Sequence, residues 1–135
     1  MTRNEAREKM MQILFELDAA KTIEKGIPQA KAKATELANV RLPGGHKDRG
    51  IKLLDAILDN LDDIDEAINS CSTKWKTTRM PKVDLAIMRL ATGEIKYDED
   101  IPEAVSVNEA INLAKKFSTD NSARFIHGVL GAITK

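Results

Sequence analysis

The sequence is poor in the residues that carry covalent, redox or metal chemistry. Cys71 is its one cysteine among 135 residues, so no internal disulfide can form and a reducing compartment is expected. His46 and His127 are the two histidines, and with one thiol they make no metal-ligand cluster. The Gly44-Gly45 pair lacks a following Lys-Ser/Thr and a preceding strand, which excludes a phosphate loop. A nucleophile elbow is absent. The acidic runs Asp59–Glu66 and Asp98–Asp100 read as solvated helix surface and turn. No enzyme, cofactor or metal is expected. Apolar runs stay well short of the roughly 20 residues that span a bilayer, and Met1-Thr-Arg-Asn-Glu5 has no apolar signal core. A soluble, cytoplasmic protein without membrane contact is the expectation. Neither sign of charge is in excess, with 21 basic against 21 acidic residues. Bulk charge therefore predicts no nucleic-acid affinity, and any RNA surface must come from local segregation of charge.

What the sequence does have is helix punctuation at the ends of apolar periods. Strand signals are nearly absent. Thr2-x-x-Glu5 reads as a capping box opening a helix to about Ala20, with Ala6, Met10, Ile13, Leu14 and Leu17 as its stripe. Pro28 suits the first turn of a second helix ending near Val40, whose stripe is thin: Ala30, Ala34, Leu37 and Ala38. Leu42-Pro-Gly-Gly-His46 reads as a loop. From Asp48 to Cys71 the apolar pattern fits one helix, or two with a break near Asn60. A linker from Ser72 to Pro81 leads into a strongly apolar helix from Lys82 to about Tyr97, and Asp98–Pro102 is a turn. Ser106-x-x-Glu109 reads as a second capping box, opening a helix through Phe117. A last helix starts at Thr119 or Asp120 and reaches about Ile133. Six or seven short helices around one core make an all-α, single-domain bundle over residues 1–135. A chain of this length buries about two-thirds of its unfolded surface.

Several residues do not fit the core stripes. Met11 and Phe15 lie off the stripe of the first helix, as a second apolar surface covered either by a neighbouring helix or by another protein. Arg3 and Arg7, one turn apart at the edge of the main stripe, form a basic tip that could meet phosphates. Glu94 falls on the apolar side of its helix with Val83, Ile87, Leu90 and Ala91, so it needs a partner, for which Arg79 and Arg89 are candidates. Asp84 and Arg89 project elsewhere and are free to serve a partner. In the last helix Phe125 is marginal to the inward face, while Arg124 and His127 point away. With Lys115, Lys116, Asn121 and Ser122 nearby, that end combines cations for phosphate with an aromatic for base stacking. Gly128 within a helix suggests close packing.

Four segments, in order, carry a family resemblance. They are Ala6-Arg-Glu-Lys-Met-Met-Gln-Ile-Leu-Phe15; Trp75-x-x-x-Arg79 with Val83-Asp-Leu-Ala-Ile-Met-Arg-Leu-Ala-x-x-Glu94; Ile101-Pro-x-x-Val-x-Val-Asn-Glu-Ala-Ile-Asn-Leu-Ala-Lys115; and Ser122-x-Arg-Phe-Ile-His-Gly-Val-Leu130. Together they resemble the NusB transcription antitermination family, strongly from Trp75 to Leu130 and weakly from Lys21 to Asp48. The resemblance implies an all-helical, non-enzymatic protein that pairs with NusE, a small-subunit ribosomal protein. The pair would bind boxA RNA and join an RNA polymerase antitermination complex, notably on ribosomal RNA operons. By position, Arg3 and Arg7 match an N-terminal RNA segment, and Asn121, Arg124 and Phe125 match a C-terminal RNA region. Phe15, Asp84 and Arg89 match partner-contacting positions, and Phe15 could also serve a homodimer. Two departures stand out: Asn4 and Glu5 thin the basic segment, and His127 replaces the usual Asn before Gly128. The thinned segment leaves open a protein-interaction module of the same fold with weakened RNA binding. The fold also occurs ahead of ribosomal RNA methyltransferase domains, but a chain of this length without a glycine-rich cofactor fingerprint disfavours that reading.

Overall fold

The computed structural model describes residues 1–135 and is all-α. Seven helices follow in order: α1 (Arg3–Ala19), α2 (Ile27–Arg41), α3 (Gly44–Asp59), α4 (Leu61–Cys71), α5 (Lys82–Tyr97), α6 (Glu103–Phe117) and α7 (Asp120–Ile133), with one 3-10 turn at Ile23–Lys25. None is long and apolar enough to cross a membrane.

α5 is the axis of the molecule. It packs on α1, α3, α4, α6 and α7, and every residue from Asp84 to Glu94 is buried. A helix enclosed on all sides cannot be amphipathic in the ordinary sense, which is why its polar residues need partners of their own. Gly93 permits this crowding, since a Cβ there would lie 2.3 Å from Ile57 Cγ1 on α3. The thin stripe of α2 has a similar cause. Its buried residues are Ala30, Ala34 and Ala38, small side chains at four-residue spacing that let α2 lie close on its neighbours.

The caps explain most boundaries. Thr2 accepts from the Glu5 N–H at 3.1 Å while Glu5 reaches back to the Thr2 N–H, so the expected capping box of α1 is present. Thr119 caps α7 by accepting from the Ser122 N–H at 3.0 Å. Between α3 and α4 the chain breaks at Asn60, whose φ and ψ of −122° and 27° leave the helical region. Its Nδ2 donates to the Ala56 carbonyl at 2.8 Å, so the pattern from Asp48 to Cys71 is two helices.

Three expectations are overturned. Leu42–His46 is not a five-residue loop, because α3 starts at Gly44, whose φ of 52° turns the chain into the helix. Ser106 is not an N-cap. Pro102 fixes the backbone at the entry, α6 starts at Glu103, and Ser106 lies one turn inside, buried. Gly128 makes no close approach, since a Cβ there would meet nothing within 4 Å. Met11, by contrast, is covered by neighbouring helices and is 2% exposed.

Candidate RNA and partner surfaces

The charge on α5's apolar side finds its partner at the other end of the chain. Arg7 Nε donates to Glu94 Oε2 at 2.7 Å and Arg7 Nη2 to Oε1 at 3.0 Å. Ser106 Oγ donates to the same Oε1 at 3.0 Å. Both ion-pair partners are buried, Arg7 to 3% exposure and Glu94 to 1%. Neither Arg79, exposed in its loop, nor Arg89 is the partner. Arg7 therefore does not stand at the surface as a phosphate-binding cation. Its fork is held by Glu94 and, through Nη1, by Asn4 Oδ1 at 2.7 Å.

Arg3, one turn earlier, is exposed and forms no ion pair. It lines a small cleft with Arg49, His46, Asp98 and Ile101. Arg49 is engaged there by Asp98 at 2.8 Å, and His46 Nε2 is 3.0 Å from the Met1 carbonyl oxygen.

At the α6–α7 junction Lys115, Lys116, Asn121 and Arg124 are all exposed and Phe125 is half-buried against the core. Lys116 pairs with Glu8 on α1, and its Nζ lies 5.3 Å from the centroid of Phe117. Arg124 donates to Asn121 on the preceding turn. The junction thus carries exposed cations and an amide, with Lys116 turned towards α1 and Phe125 towards Trp75. Arg3 sits elsewhere. It shares its cleft with Asp98 at the end of α5, while α7 starts against Asp84 at the other end. At roughly 1.5 Å per residue, those two points on α5 are about 20 Å apart.

Asp84 and Arg89, expected to be free for a partner, are enclosed. Asp84 is 2% exposed and accepts from Ser118 Oγ and Ser122 Oγ, each at 2.7 Å. It thereby ties the entry of α7 to the first turn of α5. Arg89 makes a two-pronged pair with Asp65 on α4 at 2.9 and 2.7 Å. Both fix helices to one another because α5 has no solvent face on which to display them.

Phe15 is half-buried at the edge of a groove of about 450 Å³ lined also by Glu16, Leu17, Ala20, Lys33 and Leu37. Arg41 lines a neighbouring depression with Lys9, Gln12 and Phe15, and makes a two-pronged bond to Glu16. That bond holds the Glu16 carboxyl below its usual range and the Arg41 guanidinium above its own. At the start of the same helix, the Thr2 hydroxyl and backbone lower Glu5 in the same direction.

Sequence reasoning missed two features here. Ser106 was legible as a polar residue on an apolar face, a signal obscured by its resemblance to a cap. Trp75, 41% exposed, packs its ring against Phe125 at a centroid distance of 6.3 Å. An aromatic standing in a polar Ser/Thr/Lys loop, outside any helical period, was the available sign.

The sequence profile of the NusB family matches residues 4–135. A protein from Clostridium novyi called transcription antitermination protein NusB is 42% identical over 137 residues, spanning 100% of this chain and 99% of that protein. A protein of the same description from Agathobacter rectalis is 42% identical over 134 residues, with 96% and 97% covered. Among solved structures, T. maritima NusB superposes with a TM-score of 0.86 at 28% identity, covering 98% of this chain and 90% of that one. A chain from the complex of antitermination factors NusB and NusE with double-stranded RNA gives 0.74 at 22% identity, covering 97% and 94%. At that identity the likeness speaks for the fold alone.

Proposed function

The chain belongs to the NusB family, and from that premise we propose that it is a non-enzymatic transcription antitermination factor of the bacterial cytoplasm. It binds boxA-type RNA together with NusE and joins the RNA polymerase antitermination complex, notably on ribosomal RNA operons. The observation that carries this reading is the 42% identity to the Clostridium novyi antitermination protein along the whole chain. The surface at the α6–α7 junction supports it, because Lys115, Lys116, Asn121, Arg124 and Phe125 place cations beside an aromatic, the combination single-stranded RNA requires. Arg3 adds a separate phosphate contact. The groove beside Phe15 is assigned to the protein partner, with Asp84 and Arg89 acting indirectly by holding α7 and α4 on α5.

A second reading, a protein-interaction module with weakened RNA binding, is favoured by one observation: Arg7 is withdrawn into its pair with Glu94. The two separate in a binding measurement with labelled boxA RNA and a scrambled control, with and without NusE. Preference for boxA that NusE sharpens, and that Arg124→Ala and Phe125→Ala reduce, supports antitermination. Equal, weak binding to both RNAs in the presence of NusE leaves the interaction module.

A further inference from the structure

Trp75 has no part in the sites described so far, yet it is the bulkiest exposed apolar side chain in the molecule. A tryptophan that merely sealed the core would turn its ring inward. Phe125 does pack against the core, but Trp75 keeps 41% of its surface open and leans on Phe125 with the ring planes inclined at 47°. Its position is held from both sides. Ser72 Oγ accepts from the Trp75 N–H at 3.2 Å and donates to the Trp75 carbonyl. Two residues on, the Thr77 N–H donates to Asn69 Oδ1 at 2.8 Å, and Lys76 Nζ reaches the Asn69 carbonyl at 2.9 Å. The indole is therefore presented on a backbone clamped to the end of α4, so little freedom is left to lose on binding.

A cation stands over the indole and another follows on α7. Lys74 Nζ lies 5.4 Å from the indole centroid, and exposed Arg124 is the neighbour of Phe125 in the chain. Two adjoining aromatic rings, one with a lysine over it and the other on a helix that also carries an exposed arginine, suit an unpaired base and its flanking phosphates better than an apolar peptide. We infer that Trp75 and Phe125 form one stacking platform for an unpaired base of single-stranded RNA, with Lys74 and Arg124 taking the phosphates beside it. The inference rests on the RNA-binding reading above and extends the surface across to the α4–α5 loop.

Trp75 is the only tryptophan in the sequence, so its emission reports on this platform and nowhere else. Intrinsic fluorescence would be followed during titration with boxA-type RNA, in parallel with anisotropy of the labelled RNA. Inorganic polyphosphate serves as a baseless polyanion, and NusE is also added alone. The expected result is quenching that saturates at the anisotropy midpoint, with little change for polyphosphate. Trp75→Ala should weaken RNA binding by about tenfold, whereas Trp75→Phe retains most of it, consistent with stacking. Both variants should keep the wild-type helical circular dichroism and melting temperature. RNA binding without quenching, and unaltered in Trp75→Ala, overturns the platform but leaves the RNA reading standing. Quenching by NusE alone, with RNA adding nothing, overturns it in favour of a protein contact. Absence of any RNA binding with NusE present sinks the RNA reading and the platform with it.

Discussion

Arg7 shows how one residue can serve the structure in a place where its charge suggests a ligand. Its guanidinium and the Glu94 carboxylate are both taken from water, and each is tolerable only because the other is there. Arg7→Ala leaves a buried carboxylate with the Ser106 hydroxyl alone, and should cost about 3–5 kcal/mol in urea unfolding. Adding Glu94→Gln removes the orphaned charge, so the double variant should be less destabilised than the sum of the singles by more than about 1 kcal/mol. Strictly additive losses would contradict the pair. Arg3→Ala, at an exposed position without an ion pair, should leave stability within about 0.5 kcal/mol of wild type. RNA binding lost in Arg7→Ala would therefore report a damaged fold as readily as a lost contact. Glu94 was legible in the sequence as a charge on an apolar stripe. Its partner was not, because Arg7 is 87 positions away and helical periodicity carries no information on which face meets which. The enclosure of Asp84 and Arg89 was hidden for the same reason. Their sides of α5 look like a polar face until other helices are laid over them.

Helices α1 and α7 were readable nearly to their ends because a side-chain cap and an apolar stripe agree there, and α5 because Pro81 precedes a strong apolar run. Where the signals conflict, the reading failed. Ser106-x-x-Glu109 mimics a capping box inside a helix that Pro102 had already started, and Gly44-Gly45 looks like a loop but forms a first helical turn. Gly93 and Gly128 separate packing from propensity in one comparison. Gly93→Ala drives a methyl into Ile57 where α3 crosses α5 and should destabilise by about 1–3 kcal/mol. Gly128→Ala places its methyl in open space on α7 and should stabilise by about 0.4–1 kcal/mol. Thermal melts of the two variants should move in opposite directions, and a loss in Gly128→Ala would contradict the open face. The tie between α1 and α2 is testable by acid. Glu16 is lowered below its usual value of 4.5 by the Arg41 bond, so its contribution is present above that value and is lost as pH falls through the folded-state value. Because the pair is well solvated, its stabilisation should be under about 1 kcal/mol. The stability gap between wild type and Glu16→Gln should narrow as pH falls past the usual 4.5 and close below the folded-state value, as the wild-type carboxyl becomes neutral like the amide. A gap that persists at the acid end would assign the effect to packing.

At the scale of the molecule, a chain with no net charge offers a polyanion no long-range attraction, so affinity would rest on local contacts. Glu94 occupies Arg7, Asp65 occupies Arg89 and Asp98 occupies Arg49, which removes three arginines from the count. On the proposed RNA surface Arg3, Lys74, Lys115, Lys116 and Arg124 are exposed, and Lys116 must first leave Glu8. Each phosphate neutralised on a single strand contributes about −0.7 to the slope of log K against log salt, so RNA held by these five alone should show a slope no steeper than about −3.5. Base stacking is far less sensitive to salt. Affinity at high salt should accordingly persist in wild type and fall in Trp75→Ala and Phe125→Ala, with the slope little changed. Arg3→Ala and Arg124→Ala should do the reverse, each making the slope shallower by about 0.7 with a smaller loss at high salt. Arg3, placed about 20 Å along α5 from the α7 entry, should lose this effect on RNAs too short to reach both ends. A steeper slope in the presence of NusE would then measure cations beyond these five, brought by the partner or by the rest of this chain's surface.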